Sequence, residues 1–191
     1  MEFIPTPSQT VGPFFHFGIT TAKHSVSCIA SPGATGEKVW LTLTVLDGES
    51  QPLDDAMIEV WQADSNGKYN HPDDWQPKTF DLKCSGFGRL ATREDGTCEF
   101  ETIKPGRVPG SGDTWQAPHF NVAVFARGML KQLYTRVYFA EDPSNSEDPV
   151  LALVPSDRHA TLMAQRDPSR PSHWRFDLRL QGEQETVFFD V

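Results

Sequence analysis

His119 and Asn121 stand two residues apart in the run His119–Ala126 (HFNVAVFA). The alternation there predicts a strand, so both side chains leave the same face. A His-x-His pair in that setting is half of a metal site, because two imidazoles on one face can share an ion with ligands from nearby loops. Here the second place holds an amide, a poor donor to a transition metal. Read alone, His119 is more simply a hydrogen-bonded core or rim residue. Tyr69 lies in the polar loop Gly67-Lys68-Tyr69-Asn70-His71. As a phenolate it would suit hard Fe(III); as a half-buried tyrosine it would bond its hydroxyl to backbone. A nucleophile elbow, a phosphate loop, a zinc-protease helix and a dinucleotide fingerprint are all missing from the sequence. The pairs Asp54-Asp55 and Asp73-Asp74 fall in turn-like segments and read as solvated surface.

The elements that must hold these residues are strands. Val39–Leu46 (VWLTLTVL) puts Val39, Leu41, Leu43 and Val45 on one face at period two. Met57–Gln62, Thr97–Ile103, Leu133–Phe139 and Trp174–Leu180 alternate likewise, and Glu185–Val191 closes the chain as a further strand. His119–Ala126 and Leu133–Phe139 form a hairpin around Arg127-Gly128-Met129. Ser156–Arg166 carries good helix formers behind a capping-type serine and predicts one short late helix. About seven strands with regular turn signals predict an all-β, antiparallel β-sandwich with long loops. The first 35 residues lack periodicity and read as an N-terminal arm.

Composition sets the frame. The 191 residues, 38% hydrophobic with 13 Phe and 5 Trp, suffice for one core and favour a single domain over residues 1–191. The net charge of -9 and the absence of a basic run exclude nucleic acid as a partner. No apolar run reaches bilayer length and no signal-type segment opens the chain, so the expectation is a cytoplasmic protein with no membrane partner. Three cysteines without CxxC spacing predict buried, reduced thiols rather than a disulfide framework.

Several ordered motifs resemble those of the intradiol ring-cleavage dioxygenase family. Pro7-Ser8-Gln9-Thr10-Val11-Gly12-Pro13-Phe14-Phe15 resembles the family's PSQTxGPF/Y opening. Glu59 to Tyr69 (EVWQADSNGKY) resembles its EVWQADxxGxY segment, and Thr102-Ile103-Lys104-Pro105-Gly106 its T[IV]KPG turn. Ala117-Pro118-His119-Phe120-Asn121 lies where active chains read AHIH. Trp174–Asp177 and Gly182–Asp190 match the family's ending, so the likeness spans nearly the whole chain.

The resemblance implies a β-sandwich and an Fe(III) site of two tyrosines and two histidines that chelates a catechol for attack by dioxygen. Carried over, Tyr69 and His119 match one ligand of each kind. Val108 stands at the second tyrosine and Asn121 at the second histidine, while Gln116 replaces an arginine of the active chains. Val108 has no lone pair, and losing one phenolate removes charge that a ferric ion needs. These four therefore read as vestigial metal-site positions, with no metal and no catalytic residue in this chain. The pattern resembles that of a helper chain whose paired β chain keeps all four ligands and the iron, in a heterodimer multiplied into a larger oligomer. The residues it would lend to the partner's substrate pocket are Thr10, Gly12, Pro13 and Arg127, the last facing a carboxylate-bearing catechol. The arm over residues 1–35 would pack on that partner. Two other readings are a stand-alone β-sandwich ligand-binding module and a self-sufficient catechol-type dioxygenase built around Tyr69, His71 and His119.

Overall fold

Strand β1 (Lys38–Leu46) turns its pattern directly into core: Val39, Leu41, Leu43 and Val45 are fully buried, while the residues between them are only partly covered. Each such side chain contributes roughly 1.5–3 kcal/mol on burial. The computed structural model describes residues 6–190. A seven-residue helix α1 (Pro13–Ile19) precedes β1, with Pro13 in its first turn and no residue buried. The remaining strands are β2 (Met57–Trp61), β3 (Phe87–Ala91), β4 (Thr97–Ile103), β5 (Val108–Pro109), β6 (Trp115–Gln116), β7 (His119–Phe125), β8 (Leu133–Phe139), β9 (Met163–Asp167) and β10 (Arg170–Arg179). Eight of them form one sheet in the order β3-β2-β7-β8-β9-β10-β1-β4, and β5 pairs with β6 as a separate ribbon. The sheet curls until its ends, β3 and β4, lie against each other. The enclosed core includes Phe100, Phe120, Phe139 and Trp174, with Phe139 meeting Trp174 edge-on at 4.8 Å.

The all-β expectation holds, with corrections. Most pairs are antiparallel, but β1–β10 and β8–β9 are parallel. Both join segments distant in sequence, which local alternation cannot pair. The late helix is a 3-10 turn over Ser156–Leu162 whose N-cap is Pro155, and Ser156 makes no capping bond. The rest of that stretch is β9, because Ala164 is buried and its backbone bonds complete the sheet; tertiary pairing overrides helix propensity. The closing segment is no strand: Phe189 makes one isolated bridge to Tyr134, and Val191 lies outside the described residues. Strands β3 and β9 had no clear alternation to announce them. Of the expected arm, residues 1–5 lie outside the described residues, and Val26, Cys28 and Ala30 bridge to the body with Ile29 in the core. All three thiols are free. Cys84 and Cys98 are buried, and burial pushes them up to about 11 and about 12; Cys28, contrary to expectation, is exposed.

One buried carboxylate organises the loops above β2. Asp64 Oδ1 accepts from the backbone N–H of Asn66 (2.9 Å) and Lys68 (3.0 Å), and Oδ2 from that of Asp81 (3.0 Å). Its own carbonyl accepts from Gly67 and Gly106. Gly67 has φ +77°, and a Cβ there would lie 1.8 Å from the carbonyl oxygen of Arg107; at Gly106 it would lie 2.5 Å from that of Ser65. The two turns are pressed backbone to backbone and only glycine fits. Gly67→Ala should lower the unfolding free energy by about 3 kcal/mol, combining left-handed backbone strain with overpacking. Urea denaturation checks this, and a loss under about 1 kcal/mol would contradict the packing described.

Candidate functional site

The Asp64 turn delivers Tyr69 to one end of the sheet. The Tyr69 N–H donates to Asp74 Oδ2 at 2.7 Å, and Lys68 Nζ donates to the carbonyls of Asp74 (3.0 Å) and Gln76 (2.7 Å). Asp74 is thus a structural anchor rather than solvated surface, and its backbone and Gln76 hydrogen bonds and Lys68 hold its carboxyl below the usual range despite burial. The Tyr69 ring stacks on Trp61 of β2, centroids 6.0 Å apart at 12°.

β7 supplies the floor. In register, Trp61 faces Asn121, which faces Arg136 of β8, and His119 faces Tyr138. The predicted common face of His119 and Asn121 is therefore realised. His119 Nδ1 lies 2.7 Å from the carbonyl of Ala117, which can only accept, so Nδ1 carries the proton and Nε2 is an acceptor. The Tyr69 hydroxyl sits 3.4 Å from that Nε2 and donates to it, as a long hydrogen bond. Asn121 Nδ2 donates to the Tyr69 oxygen at 3.1 Å. Burial raises the Tyr69 phenol above its ordinary value, outweighing Asn121 and Arg136. Burial, aided by Arg136, lowers His119 to about 4. Tyr69 is a neutral phenol and His119 a neutral imidazole, each bonded to the other.

The opposite wall is the β5–β6 ribbon, which pairs Val108 with Gln116. Gln116 Oε1 accepts from Arg136 Nη1 at 2.6 Å, and the same nitrogen lies 3.4 Å from the Tyr138 hydroxyl. Between these walls is a cavity of about 510 Å³ that Tyr69, Val108, Gln116 and Arg136 line together. Sequence reasoning missed Arg136. The available signal was a cation in mid-strand, at the alternate of the buried Thr135 and Val137. His71, a ligand in the self-sufficient reading, borders the cavity but is exposed and accepts from the backbone of Asp73.

These residues do not fit a ferric ion. Val108 has no donor atom, and Asn121 directs its amide N–H at Tyr69. A guanidinium shares the pocket and repels a cation. Among the described residues no group of three or more His, Cys, Asp or Glu comes together to hold a metal.

A second cleft of about 280 Å³ gathers Gly12, Pro13, Asp55 and Arg127. Thr10 Oγ1 accepts from the Gly128 N–H at 2.7 Å and ties this segment to the β7–β8 turn. Arg127 Nε pairs with Asp55 Oδ2 at 2.5 Å, and the Arg127 side chain is 75% exposed. Asp55 is thus not plain solvated surface. No helix among the described residues is long and apolar enough to cross a membrane.

The family model described as "Dioxygenase" matches residues 10–182. The chain is 44% identical to the protocatechuate 3,4-dioxygenase alpha chain of Burkholderia cepacia, over 97% of both chains. It is 39% identical to the alpha chain of the Pseudomonas putida enzyme, over 100% of this chain and 98% of the other. The beta chain of the Burkholderia cepacia enzyme is 31% identical over 79% of this chain and 67% of its own length. Among solved structures, the dioxygenase domain of a carbohydrate-binding fusion from Streptomyces sp. SirexAA-E superposes with a TM-score of 0.64. It is 22% identical and covers 93% of this chain and 99% of its own, a likeness of fold.

The neutral His119 has a stability consequence. Its folded value of about 4 lies below the ordinary 6.5. Between these the unfolded chain binds a proton that the folded chain excludes, so stability falls as pH drops through that window. The contribution present above it is on the order of 3 kcal/mol. His119→Gln should flatten the dependence of Tm on pH from about 6.5 to 4, and a slope equal to the parent's would show that His119 is not its source.

Proposed function

The chain belongs to the intradiol ring-cleavage dioxygenase family, and on that premise we propose that it is the alpha subunit of a protocatechuate 3,4-dioxygenase. Its partner is the beta subunit, which holds the Fe(III). Together they cleave the ring of protocatechuate between the two hydroxyl-bearing carbons with dioxygen, giving 3-carboxy-cis,cis-muconate. The observation that carries this reading is a pocket with Val108 and Asn121 at two ligand positions and a guanidinium among its lining, in a chain matched over 97% of its length by an alpha chain. The pairing is a heterodimer, repeated in a larger αβ oligomer.

In this reading the N-terminal segment and the β7–β8 turn form one wall of the partner's substrate pocket. The Thr10–Gly128 hydrogen bond supports this by fixing both pieces together. Gly12 lets backbone approach a substrate closely and Pro13 sets the turn that starts α1. Arg127 spends Nε on Asp55 and keeps four further N–H donors, enough for a bidentate grip on the substrate carboxylate. Such a cation offsets the repulsion between an anionic substrate and a chain of net charge -9. Three free thiols suit a reducing compartment, and we assign the protein to the cytoplasm.

Co-expressed with its beta subunit, the chain should yield one iron per αβ pair, and the chain alone none, by metal analysis. Stoichiometric iron in the isolated chain would overturn the assignment. Arg127→Ala in the complex should raise KM for protocatechuate about tenfold while the ferric visible absorption is unchanged. Loss of that absorption, or an unaltered KM, would remove Arg127 from the pocket mouth.

A further inference from the structure

The cavity between Tyr69 and the β5–β6 ribbon has the makings of a ligand site in its own right. Its volume of about 510 Å³ falls in the range of small-molecule pockets. One wall is aromatic, with Trp61 and Tyr69 stacked; another is apolar, with Val108 and Pro109. The cation that borders this space is the Arg136 guanidinium. Arg136 Nη1 is held by Gln116 and Tyr138, which fixes the plane of the fork. Its Nε and Nη2 make no hydrogen bond to any described residue. No described carboxylate lies within ion-pair distance. Asp148 connects to the guanidinium only through the Tyr138 hydroxyl, which donates to that carboxylate at 3.3 Å. A half-buried guanidinium without a counter-ion is costly, and a bidentate anion is the partner its geometry suits.

Two carboxylates border the cavity, and neither serves as that partner. Asp74 is consumed by the Tyr69 and Gln76 amides and by Lys68, 3.6 Å away. Asp73 is 91% exposed at the rim, where water screens it. Tyr69 adds an oxygen at the inner end, already bonded by Asn121 and His119.

We propose that this cavity binds a small planar aromatic carboxylate, with its carboxylate on Arg136 and its ring against the Trp61–Tyr69 wall. The site is separate from the Thr10–Arg127 cleft, requires no metal, and does not depend on the subunit assignment. Gln116 acts as a positioning residue that orients the guanidinium.

The test uses the full chain with whatever partner co-purifies, titrated with 4-fluorobenzoate and followed by fluorine NMR. The neutral isostere 4-fluorobenzamide runs in parallel, and the ferric visible band reports any occupancy of an iron site. Saturable binding near 1 mM is expected for a ligand of this size, with the benzamide at least about tenfold weaker. Binding should persist when the ferric band is unmoved. Arg136→Met should abolish it, and Arg136→Lys, which keeps the charge and a compact side chain, should weaken it about tenfold. Equal affinity for benzamide, affinity unchanged in Arg136→Lys, or binding that only tracks the ferric band would overturn the proposal. If the chain purifies without a ferric partner the same titration applies to it alone, so failure of the subunit assignment and failure of this site are read separately.

Discussion

The carboxylate of Asp64 is wholly removed from water, and a charge so placed survives only if its oxygens are filled. Three backbone N–H groups fill them, and each comes from a segment with no regular structure of its own. The exit of β2, the turn leading to Tyr69 and the stretch near Asp81 are thereby held at one point. The Asp64 carbonyl adds the Lys104–Gly106 turn, from which the ribbon carrying Val108 departs. Both sides of the cavity, the aromatic one and the apolar one, are therefore referenced to a single residue. The glycines at 67 and 106 complete the arrangement by letting two turns share space that a methyl group would occupy.

That frame is indifferent to what it presents. The strands and ribbon around this cavity carry an amide, a valine and a guanidinium, and these set its character. Tyr69 and His119 are in contact, and each satisfies the other. A fold sets where side chains emerge, and the chemistry follows from which ones do.

Much of this is legible in the sequence. The alternation in Val39–Leu46 named four buried residues, and the two-residue spacing of His119 and Asn121 placed them on one face. The deficit at Val108 and Asn121 came through resemblance, and the structure brings both to the Tyr69 neighbourhood. What failed depended on long-range pairing. β9 reads as helix because Met163 and Ala164 are helix formers, and only the bonds to Tyr138, Phe139 and β10 make it a strand. The last residues read as a strand but extend into no ladder: Phe189 meets Tyr134 of β8 in one isolated bridge. Arg136 escaped notice because its importance lies in a missing counter-ion, a property of the surroundings rather than of the strand that carries it.

The parallel union of β1 with β10 joins residues 38–46 to residues 170–179. Until the final stretch leaves the ribosome, one long edge of β1 has nothing to bond, although its other edge can already hold β4. Such a nascent intermediate offers an open hydrogen-bonding ladder beside a row of valines and leucines, the surface most prone to mispairing between chains. Sheet closure is then a late event of high contact order, and slow folding that yields better at low temperature or with chaperone protection follows from this one seam.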